Sequence, residues 1–164
     1  MILWVNLHGG YIIGIALLLL FSATELLTNY IKPIDARKSQ KTFLLPFVIA
    51  LLSIAASCVN PDFIDHLKYP FQVISMEASK SFISEWRSPN FHGWQSKLYL
   101  LLVFAFFTAN ICRKHRPDFT EICIPLFFIT EGFVAIRHIP LAALATIPFM
   151  ALALNNHIPI QLPL

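Results

Sequence analysis

Three short stretches of this chain hold the residue types that can do chemistry. WVNLHGG near the amino terminus offers Asn6 and His8, ISEWRSPNFHGW in the middle offers Glu85, Trp86, Arg87, His92 and Trp94, and AIRHIP toward the end offers Arg137 and His138. Indole faces stack on sugar rings, a guanidinium forks phosphate oxygens, and a protonated imidazole donates to anionic oxygens. The mixture therefore suits a sugar and the phosphate of a lipid carrier. Each stretch also has a plainer reading. Tryptophans populate the aromatic belt of a membrane interface, small residues such as Gly9 and Gly10 let helices approach, and a cation near a helix end snorkels to headgroups. Those accounts fit Trp4, Gly9 and Gly10 well. They fit an asparagine and a histidine two residues apart near lipid less well, because polar groups there need partners.

The other ionisable residues carry weaker signals. Glu131 lies inside an apolar run, six residues before Arg137, and is a partner for Arg137 or for another buried cation. Glu25 and Glu121 read as ordinary helix-end charges. Asp62 and Asp65 are formal candidates for a general base, but Asn60-Pro61-Asp62 reads more simply as a turn with Asp62 capping a short helix. No GxSxG, Walker, HExxH or dinucleotide glycine motif occurs. Cys58, Cys112 and Cys123 have no CxxC or Cys/His ligand spacing and behave as small hydrophobes, so no metal site is expected.

The elements that must position these residues are apolar. The chain is 57% hydrophobic and 13% charged, against ~45–50% and ~25% for soluble domains. This composition predicts an integral membrane protein, all-α, folded as a single polytopic transmembrane helix bundle over residues 1–164. Five spans are expected, at residues 3–27, 43–59, 98–112, 119–136 and 141–154. Pro46, Pro125 and Pro148 fall within spans and should kink them without breaking them. Lys32, Arg37, Lys38 and Lys41 follow the first span, and Arg113, Lys114 and Arg116 follow the third, which puts both connections in the cytoplasm and the amino terminus outside. All three clusters then emerge on one extracytoplasmic side. The first run has no basic n-region and no small-residue cleavage site, so it reads as a retained helix. The long connection, residues 60–97, should hold an amphipathic interfacial helix from Pro70, with Phe71, Ile74, Ala78 and Phe82 at helical spacing. The end, HIPIQLPL, reads as an extended tail. A net charge of +3 with basic residues confined to short connections gives no nucleic-acid signal.

WVNLHGGYIIG, NPDF through the tyrosine-proline of LKYPF, ISEWRSPNFH and AIRHIPLAALATIPFM, taken in order, span most of the chain. In these pieces the chain resembles the carboxy-terminal membrane portion of large bacterial membrane glycosyltransferases of the GT-C fold, the superfamily of protein mannosyltransferases and lipid A aminoarabinose transferases. The resemblance implies residence in the bacterial inner membrane and transfer of a sugar from a polyprenyl-phosphate carrier to an acceptor on the outer face. It further implies that Arg137 and His138 contact the carrier phosphate, that Glu85 and Trp86 help to shape the sugar pocket, and that Asn6 and His8 close its inner side, with His92 a further substrate-binding candidate. Such enzymes use an acidic residue of a first outer loop as base or metal ligand, and this sequence has no counterpart to that loop. The expectation is therefore a back part that is inactive alone and works with a separate amino-terminal half. No cofactor is expected in this chain, while a divalent metal in the full-length protein stays open. The competing expectation is a non-catalytic membrane assembly subunit or a small transporter. A transporter would call for internal repeats and mid-membrane charges, and only Glu131 approaches that description.

Overall fold

The structure is a computed structural model that describes residues 1–76, 82–114 and 116–155. These residues are helical, with no strand among them, and the chain divides into two compact units, Met1–Ser79 and Lys80–Leu164.

The first unit opens with a correction. The expected span 3–27 is two helices, α1 (Ile2–Leu7) and α2 (Tyr11–Ile31). His8 is extended, at φ −158° and ψ 130°, and ends α1. The His8 ring then lies 2.8 Å from where a Cβ on Gly10 would sit, so a side chain there would have to displace that ring. Trp4 folds back on Gly14, its ring 2.8 Å from the Cβ position there. α2 continues four residues past the expected end and stops at Lys32, whose extended backbone is what a following proline demands. α3 (Lys41–Ser57) packs along α2, and the Ser22 hydroxyl donates to the Phe43 carbonyl at 2.7 Å. Asn29 straps the basic connection between them, accepting from the Lys38 amide at 2.7 Å and donating to its carbonyl at 2.9 Å. After a 3-10 turn over Phe63–Lys68 comes α4 (Tyr69–Ser75), with Pro70 in its first turn as its fixed φ favours. The expected amphipathic helix is thus seven residues long within the described chain. Ala78 lies outside the described residues, as does the tail 156–164.

The second unit holds α5 (Trp94–Ile111), α6 (Phe119–Val134) and α7 (Ile139–Asn155), with α7 packed on both others. Asp118 and Glu121 form a capping box that starts α6, satisfying amides that the first turn leaves open. Tyr99 of α5 donates to the Ile129 carbonyl of α6 beside Gly132. α6 ends at Ala135, and a 3-10 turn over Ile136–His138 leads into α7, where Pro140 occupies the first turn. Each of α3, α6 and α7 runs on through its internal proline.

Two segments are long and apolar enough to cross a membrane, Tyr11–Ile31 and Ile136–Asn155, while Lys41–Ser57 is a shorter apolar helix. The expected five spans are therefore met in full length by two. Burial adds a second observation. On α3 the buried residues are Ala50, Ser53 and Ser57, whereas Leu45 and Leu52 are 59% and 64% exposed. α7 repeats the pattern, with Ala142, Thr146 and Ala153 inside and Leu144 and Ile147 outside. Small residues at helix contacts and large apolar ones facing outward suit lipid better than water.

Candidate functional site

The second unit builds the polar cluster from two 3-10 turns. Ser84–Trp86 forms one and Ile136–His138 the other. They are sewn together by backbone: the Ile136 amide donates to the Arg87 carbonyl at 3.1 Å, and the Ser88 hydroxyl donates to the Val134 carbonyl at 3.3 Å. The arrangement follows from local sequence. α6 stops at Ala135, and Pro140 suits the opening turn of the next helix, which leaves Arg137 and His138 on a short irregular bridge at the bundle's end.

On that bridge Arg137 sits over Trp86, its guanidinium carbon 4.4 Å from the ring centroid. No carboxylate or carbonyl of the described residues pairs with it, and none of its nitrogens is a buried orphan. The guanidinium is held by the indole face while its donors stay available. His138 meets the same indole in a T-shaped contact, with ring centroids 6.4 Å apart. Its Nδ1 is 3.1 Å from Glu131 Oε2, close enough for an ion pair when the ring is protonated. The same Nδ1 is buried without a well-aligned hydrogen bond, so the contact is one of charge more than of direction. Trp86, Arg137, His138 and Glu131 thus form a half-buried ledge able to hold an anion against an aromatic wall.

Other expected site residues are placed differently. Glu85 is exposed on the Trp86 turn, and no hydrogen bond ties it to another described residue. His92 is exposed, and its amide donates to Asn90 Oδ1 at 3.1 Å, an Asx turn that leads through Gly93 into α5. In the first unit Asn6 acts as a tie, its Nδ2 donating to the Ile2 and Val59 carbonyls at 2.9 Å each. His8 accepts from the Gly10 amide through Nδ1 at 2.8 Å and closes its own turn. Both side chains therefore have a local structural task.

Several polar residues are more engaged than their sequence positions indicated. Glu25 is buried, 4% exposed at its side chain, and pairs with Lys38 at 2.8 Å. Glu121 pairs with Arg113 at 2.5 Å as well as completing the α6 cap, and the Arg113 side chain is only 8% exposed. Asp62 makes no side-chain cap to the turn it precedes. Asn60 instead closes an Asx turn just before it, accepting from the Asp62 amide at 2.8 Å. Sequence reasoning passed over His66. Its ring is stacked between Tyr11 and Tyr69 at 5.7 Å from each, its Nε2 is 3.1 Å from the Val5 carbonyl, and Tyr11 donates to the His66 carbonyl at 2.9 Å. The spacing of His66 three residues before Tyr69 was the available signal. Its meaning depended on Tyr11, which is distant in sequence.

No group of three or more histidine, cysteine, aspartate or glutamate side chains able to hold a metal occurs among the described residues. No protein family, curated protein or solved structure matches this chain.

Proposed function

We propose that this chain is a multi-pass membrane protein, crossing about five times with its amino terminus extracytoplasmic, that binds the phosphate of a polyprenyl-linked sugar at the Trp86–Arg137–His138 ledge. In this reading it is the donor-binding back part of a GT-C-like glycosyltransferase of the bacterial inner membrane. The observation that carries it is Arg137, immobilised on an indole with its hydrogen-bond donors available, at the end of an apolar helix. Stabilising a departing phosphate requires fixed cationic donors aimed at its oxygens. A ring-stacked guanidinium loses little freedom on binding one. His138 is the second donor, Glu85 lies on the sugar side, and the large outward-facing apolar residues of α7, in the same unit as the ledge, give the polyprenyl chain a compatible surface. The base that deprotonates the acceptor is assigned to a separate acidic loop, as the resemblance implies.

The test is binding of a radiolabelled polyprenyl-phosphate sugar to the purified chain in detergent, beside Arg137→Ala and His138→Ala. Saturable binding that weakens about tenfold or more on loss of Arg137 is expected, since a charge-assisted hydrogen bond contributes ~1.5–3 kcal/mol. A folded wild-type chain that binds no donor would leave a packing subunit as the better description.

A further inference from the structure

We propose that Glu131 sets the charge this ledge accepts, so that the site takes a phosphodiester, with one negative charge, and disfavours a phosphomonoester or diphosphate carrying more. The inference rests on the donor-binding reading and names the substrate class within it.

The argument is one of local charge. Arg137 on Trp86 contributes one positive charge. Glu131 is 3.1 Å from His138, so a protonated His138 is cancelled by the carboxylate, and a neutral His138 leaves that carboxylate to offset Arg137. In either protonation state the three groups together carry at most one net positive charge. Glu85, exposed on the Trp86 turn, adds a further negative charge to the neighbourhood. At most one anionic charge is therefore matched, when His138 is protonated, and a second meets the Glu131 carboxylate in a half-buried site where charge is poorly screened.

This selectivity has a direction along the reaction. A polyprenyl-phospho-sugar is a diester. On transfer, the bond from the anomeric carbon to the phosphate oxygen breaks and its electron pair stays on that oxygen. The acceptor oxygen bonds to the anomeric carbon, and the acceptor proton passes to the carboxylate base assigned above to a separate loop. The carrier is left as a monoester with a second ionisable oxygen, ~−1.5 to −2 in charge near neutrality. Glu131 then weakens the hold on the product relative to the donor. It acts as a specificity-determining residue through His138 and not as a catalytic one.

A matched pair of soluble probes tests this, a short-chain prenyl monophosphate and its methyl phosphodiester, titrated calorimetrically into the full chain in neutral detergent at neutral pH. The wild type is expected to prefer the diester by about tenfold. Glu131→Gln should bring the ratio to one or invert it, Glu131→Asp should keep it, and Arg137→Ala should remove binding of both. A purely structural role for Glu131 would change both affinities together and leave their ratio fixed, which would overturn the proposal. So would a wild type that binds the monoester as tightly as the diester, with donor binding itself intact. If Glu131→Gln does not fold, the wild-type ratio carries the test, and it should shrink toward one as salt is raised. Failure of both probes and of the labelled donor to bind would remove the donor reading and this inference together.

Discussion

Arg137 illustrates how one residue changes meaning with its neighbours. As the end of an apolar run it is a snorkelling cation, and over Trp86 at 4.4 Å it becomes a fixed donor. Trp86→Ala should therefore weaken donor binding by about two- to thirtyfold, the range of a partly desolvated cation–π contact worth ~0.5–2 kcal/mol. The measurement is the same binding titration, with unfolding midpoints as the control. Unchanged affinity would show that the indole does not hold the guanidinium. A second residue-scale test lies in the helix contact. A Cβ at Gly132 would stand 2.5 Å from the Tyr99 hydroxyl oxygen, in a place already filled by the Tyr99–Ile129 hydrogen bond. Gly132→Ala should destabilise the second unit by about 1–3 kcal/mol in thermal or denaturant unfolding in detergent. A neutral result would mean that α5 and α6 slide apart easily. Glycine here could be read from sequence only as a small residue in a helix, because its partner is 33 positions away.

At the scale of elements, the connections are more structured than their composition announced. By sequence Arg113 is a cytoplasmic loop charge, yet its side chain is nearly covered against Glu121 beside the cap of α6. Arg113→Met strands the carboxylate and should cost ~3 kcal/mol, whereas Arg113→Met with Glu121→Leu should recover much of it. Unfolding curves of the two variants decide this, and equal losses would show that the pair acts through the cap alone. In the 3-10 turn before α4, the hydrogen bond and charge of Lys68, at 2.6 Å, hold the Asp65 carboxyl below the usual carboxylate range. A depressed folded value means the pair stabilises the turn above the ordinary aspartate range and loses that stabilisation as pH falls through the folded value. A carbon-detected titration should place the Asp65 midpoint below that of a model aspartate, and Lys68→Met should return it. The turn at NPD was legible from its residue types. Which side chain closes it was not, since Asn60 and Asp62 are equivalent by propensity and only the backbone path brings the Asp62 amide to Asn60 Oδ1.

For the whole molecule, the inside-out distribution of residues is the main physical argument for a lipid setting, and topology is the testable consequence. In a chain with Cys58, Cys112 and Cys123 replaced by alanine, Ser39→Cys and Ser88→Cys should label from opposite sides of the membrane, the first only after the cytoplasmic face is opened. Labelling of both from one side would exclude the five-span arrangement. The two units each carry their own polar cluster, the His66 stack in the first and the Trp86–Arg137–His138 ledge in the second.

Composition and periodicity by themselves determined that the chain is helical and apolar. These properties are local, because each helix satisfies its own backbone whatever it packs against. Only the tertiary structure decided that the first run breaks at His8-Gly9-Gly10, that Asn6 and His8 bond within their own unit, that Glu131 faces His138 and not Arg137, and that Glu25 and Arg113 are buried. Those outcomes depend on which groups meet across long sequence separations, where a few tenths of a nanometre decide between an ion pair, a ring contact and open solvent.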